Sequence, residues 1–373
     1  MTAFVPFALE EFMSRYEQEV EVNLSESGVH PLTLGDLLDM AGAAPDALRD
    51  IEINYPHVEG IPALREAIAA LYPGARPEQV LVTVGAIEAN YDVTAALVGP
   101  GEPMAVMLPN YLQIWGMAQN RGVDLRTFRL RDDAGWALDR DGLERAAPPG
   151  TRLIAVCNPN NPTGRSLTGD EMDAVVAVAE RSGAWLLADE VYRGAERVGD
   201  EETPSFWGRS ERVIAVGSMS KAYGLPGLRI GWAVAPAEVV ERSWRRHEYT
   251  TISASMLANH LAVLALRPDV RPRILERTRG FIRRGYRVLE EWMAQHPGLL
   301  SVHPPDAAAI AFLRYDRDVA SQAIADRIRT EQGALVVPGS LFGVEHHIRV
   351  SFGLPRDYLV DGLERIARVL TAS

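Results

Sequence analysis

Of 38 basic side chains in the chain of 373 residues, 37 are arginines and one is a lysine, Lys221. Arginine serves ion pairs and phosphate contacts but cannot supply a nucleophilic primary amine, so the one position that keeps lysine draws attention. Lys221 stands in Ser218-Met-Ser220-Lys221-Ala-Tyr-Gly-Leu-Pro-Gly-Leu-Arg229, directly after the apolar run Val213 to Gly217. This places the amine in a loop at the C-terminal end of an expected strand, where open parallel sheets gather their ligands. The amine suits an aldehyde, while the hydroxyls of Ser218 and Ser220 and the guanidinium of Arg229 suit the oxygens of a phosphate. Asp189 closes another apolar run and leads into Glu190, Val191 and Tyr192. Beside a pyridine ring, that carboxylate would keep the ring nitrogen protonated and the phenol would donate to a ring oxygen. Asn158-Pro-Asn-Asn161-Pro-Thr-Gly164 follows a third run, with asparagine amides placed for a substrate or the same ring.

The elements that must position these groups alternate along the chain. Short runs rich in Val, Ile, Leu and Ala fall at Val80 to Val84, Met104 to Leu108, Leu125 to Leu130, Leu153 to Cys157, Trp185 to Val191, Val213 to Gly217 and Ile230 to Ala235. Helix-like stretches separate several of them, among them the alanine-rich segment up to Leu97, Tyr111 to Arg121 and Thr168 to Arg181. Strands of this composition are expected to be buried on both faces, which predicts an α/β domain with a mostly parallel central sheet. One long helical region is expected from about Pro236 to Leu266, and a second reaches Gln295. The pattern then changes to strands at Leu300 to His303, Ala309 to Tyr315, Ala334 to Val337 and His347 to Phe352, with helices at Val319 to Gln332 and Arg356 to Leu370. The expected organisation is a large domain over 46–266 and a smaller α+β domain formed by 1–45 and 267–373.

Composition narrows the function. A net charge of −12 argues against nucleic acid or an anionic membrane as the main partner, and 47% apolar with 24% charged residues is ordinary for a globular protein. The single cysteine, Cys157, cannot form an internal disulfide. Glu10 and Glu11 stand where a signal peptide would carry basic residues, and no apolar run has the length of a membrane span, so a cytoplasmic location is expected. No His, Cys, Asp and Glu cluster shows metal-ligand spacing, so no metal is expected. No Gly-x-Gly-x-x-Gly follows a strand, which removes a dinucleotide-dependent oxidoreductase.

Taken in order, Tyr55-Pro-His-Val-Glu-Gly60, Gly85-Ala86-Ile87-Glu88-Ala89, Pro109-Asn-Tyr111, Asn161-Pro-Thr-Gly164, Asp189-Glu-Val-Tyr192, the lysine segment and Ile348-Arg349-Val-Ser351 resemble the fold-type I, pyridoxal-phosphate-dependent class I/II aminotransferase family over nearly the whole chain. The resemblance implies pyridoxal 5′-phosphate held as a Schiff base by Lys221, which also moves the proton at the substrate's Cα. It implies Asp189 at the ring nitrogen, Tyr192 and Asn161 at the ring oxygen, and Tyr111 stacked on the ring. The phosphate would rest on Gly85, Ala86 and Ile87 at a helix N-terminus, with Ser218, Ser220 and Arg229 around it. Tyr55 resembles the residue that reaches the neighbouring subunit's phosphate, implying a homodimer with shared sites. Arg349 resembles the clamp for the substrate's α-carboxylate. Ile87 departs from the family, whose members often carry a polar side chain there.

The implied reaction is amino transfer between an L-amino acid and a 2-oxo acid. The N-terminal stretch Asn23-Leu-Ser-Glu-Ser-Gly28-Val-His30-Pro-Leu-Thr-Leu-Gly35 also resembles a branch that includes capreomycidine synthase, which leaves cyclisation with elimination on a hydroxylated arginine as the alternative. Ser27, Gly28, Val29 and His30 are the expected side-chain selectors, with Glu26 and Glu59 available to a cationic substrate. A non-catalytic effector-binding module fits poorly, because residues 1–45 are too short for a DNA-binding domain and Lys221, Asp189 and Arg349 are all present.

Overall fold

In the computed structural model, which describes residues 4–372, the apolar runs become a sheet buried on both faces. Its eight strands run in the order β2 (Val80–Thr83), β9 (Gly231–Val234), β8 (Val213–Ser218), β7 (Trp185–Asp189), β6 (Leu153–Cys157), β3 (Pro103–Leu108), β4 (Asp124–Arg131) and β5 (Ala137–Leu138). The pairs from β8 to β4 are parallel, whereas β9 runs antiparallel to both neighbours and β5 closes the far edge antiparallel. Every residue of β2, β6, β7, β8 and β9 is buried, the condition that their uninterrupted apolar composition predicts.

Helices cover both faces. The chain opens with α1 (Ala8–Tyr16), passes through β1 (Val22–Asn23) and enters α2 (Leu34–Ala41) and α3 (Pro62–Ala69). In the sheet-forming part, α4 (Ala86–Leu97), α5 (Gln113–Asn120), α6 (Arg140–Ala146) and α7 (Gly169–Ser182) connect strands, followed by α8 (Ala237–Thr250) and α9 (Met256–Leu266). The sequence places their ends: Thr168 caps α7 reciprocally with Glu171, and Gly183 ends it in the left-handed region at φ 75°. The 25-residue α10 (Arg271–Gln295) then leads to β10 (Ile310–Arg314), α11 (Ser321–Gln332), β11 (Ala334–Leu335), β12 (Val337–Pro338), β13 (His347–Ser351) and α12 (Arg356–Thr371). Here β10, β13 and β12 form a three-stranded antiparallel sheet, and β1 pairs in parallel with β11, bringing the N-terminal segment to the C-terminal part.

Three expectations change. The helix over 236–266 is two helices, because Thr251 to Ser255 break it with Ile252 at φ 68°. Leu300 to His303 is no strand and makes only an isolated bridge from Ser301 to Arg314. The run Ala334 to Val337 divides into β11 and β12, which pair with different partners.

Candidate active site

The C-terminal ends of β6, β7 and β8, the start of α4, Arg349 of β13 and the α1 face converge on a cavity of about 330 Å³. Lys221 lines it. Its loop folds back on β8, since Ser218 Oγ accepts from the Ser220 amide at 2.9 Å and donates to the Ile230 carbonyl at 3.3 Å. Burial lowers the Lys221 pKa, the direction that frees an amine for nucleophilic and proton-transfer work; Glu26 pulls against it and Arg349 reinforces it.

Asp189 ends β7 with its carboxylate in the cavity, whereas the next residue, Glu190, turns to the other side and is held by Ser205 Oγ at 2.7 Å and the Phe206 amide at 2.7 Å. Burial raises the pKa of Asp189, and Asn90 Nδ2, donating to Oδ2 at 2.8 Å, lowers it. The Val191 amide also donates to Oδ1 at 3.2 Å, and a buried carboxylate with these two amide donors retains acceptor capacity for a protonated ring nitrogen. Tyr192 is buried beside it. Burial pushes its phenol up, with Arg349 and the Ser27 hydroxyl working the other way, so the group remains a donor.

Arg349 is 1% exposed, and among the described residues no carboxylate lies within ion-pair distance of it. One Nη donates to Asn161 Oδ1 at 2.9 Å, the other to the Ser25 carbonyl, and Nε has no partner. A buried guanidinium without an anion is costly, and a substrate carboxylate entering the cavity supplies one.

At the other end, α4 begins at Gly85 with no side-chain cap. Gly85 has φ 77°, and a Cβ there would stand 2.6 Å from Arg229 Nη2. Gly231, paired opposite on β9, lets that strand approach so closely that its Cβ would stand 2.2 Å from the Ala86 amide nitrogen. The two glycines therefore bring a guanidinium and the hydroxyls of Ser218 and Ser220 to a bare helix N-terminus, an anion site by both dipole and donors.

Several lining groups were not anticipated. Glu10, Met13 and Glu17 come from α1 and its end, where the spacing i, i+3, i+7 marks one helix face, and they meet Glu26, which the sequence had made available to a cationic substrate. Tyr111 lines the cavity, but its hydroxyl donates to Glu10 at 2.5 Å and its ring lies edge-on to Phe7. Asn90 sits one turn beyond Ala86 on α4, a spacing that becomes readable once the helix start is known. Gln113, from α5, donates to the Ile87 carbonyl at 2.5 Å.

Several expected residues lie elsewhere in this chain. His30 is outside the cavity: its amide bonds the Gly353 carbonyl at 2.8 Å, its carbonyl accepts from Arg277, and its ring faces Phe281, because Val29 takes the buried side of that segment. Gly28 packs near the Ser220 carbonyl without lining the cavity. Tyr55 is 77% exposed, and Glu59 is also off the wall. The structure also makes a cluster invisible to spacing: Glu88, Asp92 and His247 carry donor atoms within 4.8 Å of one another, buried between α4 and α8. No helix among the described residues is long and apolar enough to cross a membrane.

Known proteins are similar to the chain over nearly its whole length. The sequence model of the class I and II aminotransferases matches residues 24–366. The chain belongs to that family. It is 32% identical over 368 residues to capreomycidine synthase of Streptomyces vinaceus, covering 97% of this chain and 93% of that one. It is 30% identical to the aspartate/prephenate aminotransferase of Thermus thermophilus, covering 88% and 86%. In structure it matches a PLP-dependent aminotransferase of Streptococcus suis with a TM-score of 0.93 at 30% identity, covering 100% and 99%. The family's fold is type I and its cofactor is pyridoxal phosphate. The residues present fit that group: a buried amine, a buried carboxylate with spare acceptor capacity, and a phosphate-sized N-terminus whose glycines a Cβ would obstruct.

Proposed function

We propose that this family member transfers the amino group of an L-amino acid with a cationic side chain to a short 2-oxo acid. The observation that carries the reading is the acidic wall: Glu10, Glu17 and Glu26 share one cavity with Lys221 and Arg349. Arg349 would take the substrate's α-carboxylate, and the three carboxylates would attract a side-chain cation while repelling a side-chain carboxylate. An oxo acid without a second carboxylate meets no such repulsion.

Pyridoxal phosphate, when bound, supplies an aldehyde for an amine and a protonated ring that draws electrons from Cα. The chain's own residues do the rest. Gly85, Ala86, Ile87, Ser218, Ser220 and Arg229 would hold the phosphate. Asp189, oriented by Asn90, would keep the ring nitrogen protonated, and Tyr192 and Asn161 would donate to the ring oxygen. Lys221 Nζ, its pKa lowered, would remove the proton at Cα and return it at the cofactor's C4′. We also propose a homodimer in which exposed Tyr55 reaches the neighbouring subunit's phosphate; Ile53, two residues away and 95% exposed, supports a covered surface there.

A second reading, elimination and ring closure on a hydroxylated arginine-like amino acid, is supported by the similarity to capreomycidine synthase and by a 28% identical PLP-dependent cyclase, OrfR, with a TM-score of 0.89. It begins with the same proton removal. Mixing the cofactor-loaded enzyme with single amino acids and weighing the products separates the two. Arginine converted to its oxo acid, with the amino group left on the cofactor, supports transfer. Loss of water or gain of a ring supports the second reading, and reaction with glutamate or aspartate alone overturns the cationic substrate class.

A further inference from the structure

Helix α4 serves both ends of the cavity: its first residues, Ala86 and Ile87, line the part where the phosphate would rest, and its Asn90 bonds Asp189. What fixes α4 lies on its other face. Glu88, in the first turn, accepts from the Val84 amide at 2.6 Å, immediately before the Gly85 turn, and from Thr250 and Thr251 hydroxyls at 2.5 and 2.7 Å at the end of α8. His247, fully buried in the last turn of α8, brings Nδ1 to 3.2 Å from Glu88 and 3.6 Å from Asp92. Both Asp92 oxygens and both His247 ring nitrogens are buried without a hydrogen-bond partner, so the contact between them is one of charge at close approach. Two buried carboxylates need a cation between them, and the imidazole is the group that faces both. Arg246 acts on Asp92 from a more exposed position, with Arg242 and Arg121 around it.

We propose that His247, as an imidazolium held by Glu88 and Asp92, is a positioning residue that keeps the first turn of α4 in place for the cofactor phosphate, and that cofactor binding weakens when it loses its proton. It touches neither cofactor nor substrate and acts through α4. Burial alone would lower its pKa, but the adjacent carboxylates of Asp92 and Glu88 raise it to about 9. For a group so raised, the stabilisation is complete below the ordinary histidine value of about 6.5 and is lost as pH rises through about 9. Glu88 moves the opposite way, to about 2, so it stays ionised across this window.

The test follows pyridoxal phosphate binding to the full-length protein between pH 7 and 10, together with the phosphorus resonance of the bound cofactor. The wild type is expected to lose about tenfold in affinity across pH 9, with a matching change in the resonance. H247Q is expected to bind about tenfold more weakly at pH 7 and to lose the inflection, while the Lys221 contribution, common to both proteins, remains. Should H247Q fail to fold, D92N decides: with one partner removed, the inflection moves to lower pH. An inflection unchanged in H247Q or D92N overturns the proposal. So does a stoichiometric metal ion in the purified wild type that H247Q lacks, because the cation between the carboxylates would then not be the proton.

Discussion

At the scale of single residues the site works by pairing each buried charge with a group that has one duty left. Asp189 is the clearest case, because burial raises its pKa and Asn90 supplies the one side-chain hydrogen bond that opposes this. Asn90→Ala should therefore let the carboxylate protonate more readily and lower turnover about tenfold, read as an upward shift of the acidic limb of the pH–rate profile. A uniform loss at all pH values would argue against this role. Glu26 lines the cavity at its exposed side, so its attraction for a substrate cation is modest and sensitive to salt. Glu26→Gln should raise KM for arginine about three- to tenfold with kcat little changed, and the difference should shrink in 0.5 M salt. Lys221, Asp189 and Arg349 were legible as residue types within motifs. Asn90 and the acids of α1 were not, because their part in the site depends on where α4 starts and on where α1 packs.

At the scale of elements, apolar runs marked the strands well because a strand buried on both faces tolerates little else, as β6 and β7 show. The break between α8 and α9 escaped because Thr251-Ile252-Ser253 contains neither Gly nor Pro; it is made by tertiary bonds from Thr250 and Thr251 to Glu88. Ser301 escaped for the converse reason, an apolar run that finds one bridging partner and no ladder. A very close fit between elements bears on the site at Gly231, where β9 meets the start of α4. Since the atom in the way is backbone, Gly231→Ala cannot be relieved by a rotamer change. It should cost about 1–3 kcal/mol of stability, as overpacking does, and should also weaken cofactor binding. Thermal unfolding with and without the cofactor checks both, and an unchanged cofactor-dependent increment in Tm would show that the cradle had not moved.

At the scale of the whole molecule, the unused aromatic is the informative one. Tyr55 sits in a wide loop, 77% exposed, with Ile53 nearly bare beside it, although burying such side chains is favourable by roughly 1.5–3 kcal/mol each. A lone chain gains nothing from that exposure. In a dimer the same residues would be covered, and a phenol from one subunit could complete the phosphate site of the other, adding a donor that Ile87 does not provide. Sedimentation equilibrium should then give a dimer, and Tyr55→Phe should lower pyridoxal phosphate affinity about threefold to tenfold without dissociating it, since the aromatic area is retained and the hydroxyl alone is lost. Dilution should lower cofactor occupancy in step with the dimer fraction. A monomer that retains the cofactor at full affinity would mean that the site is complete within one chain and that the exposed loop serves another purpose.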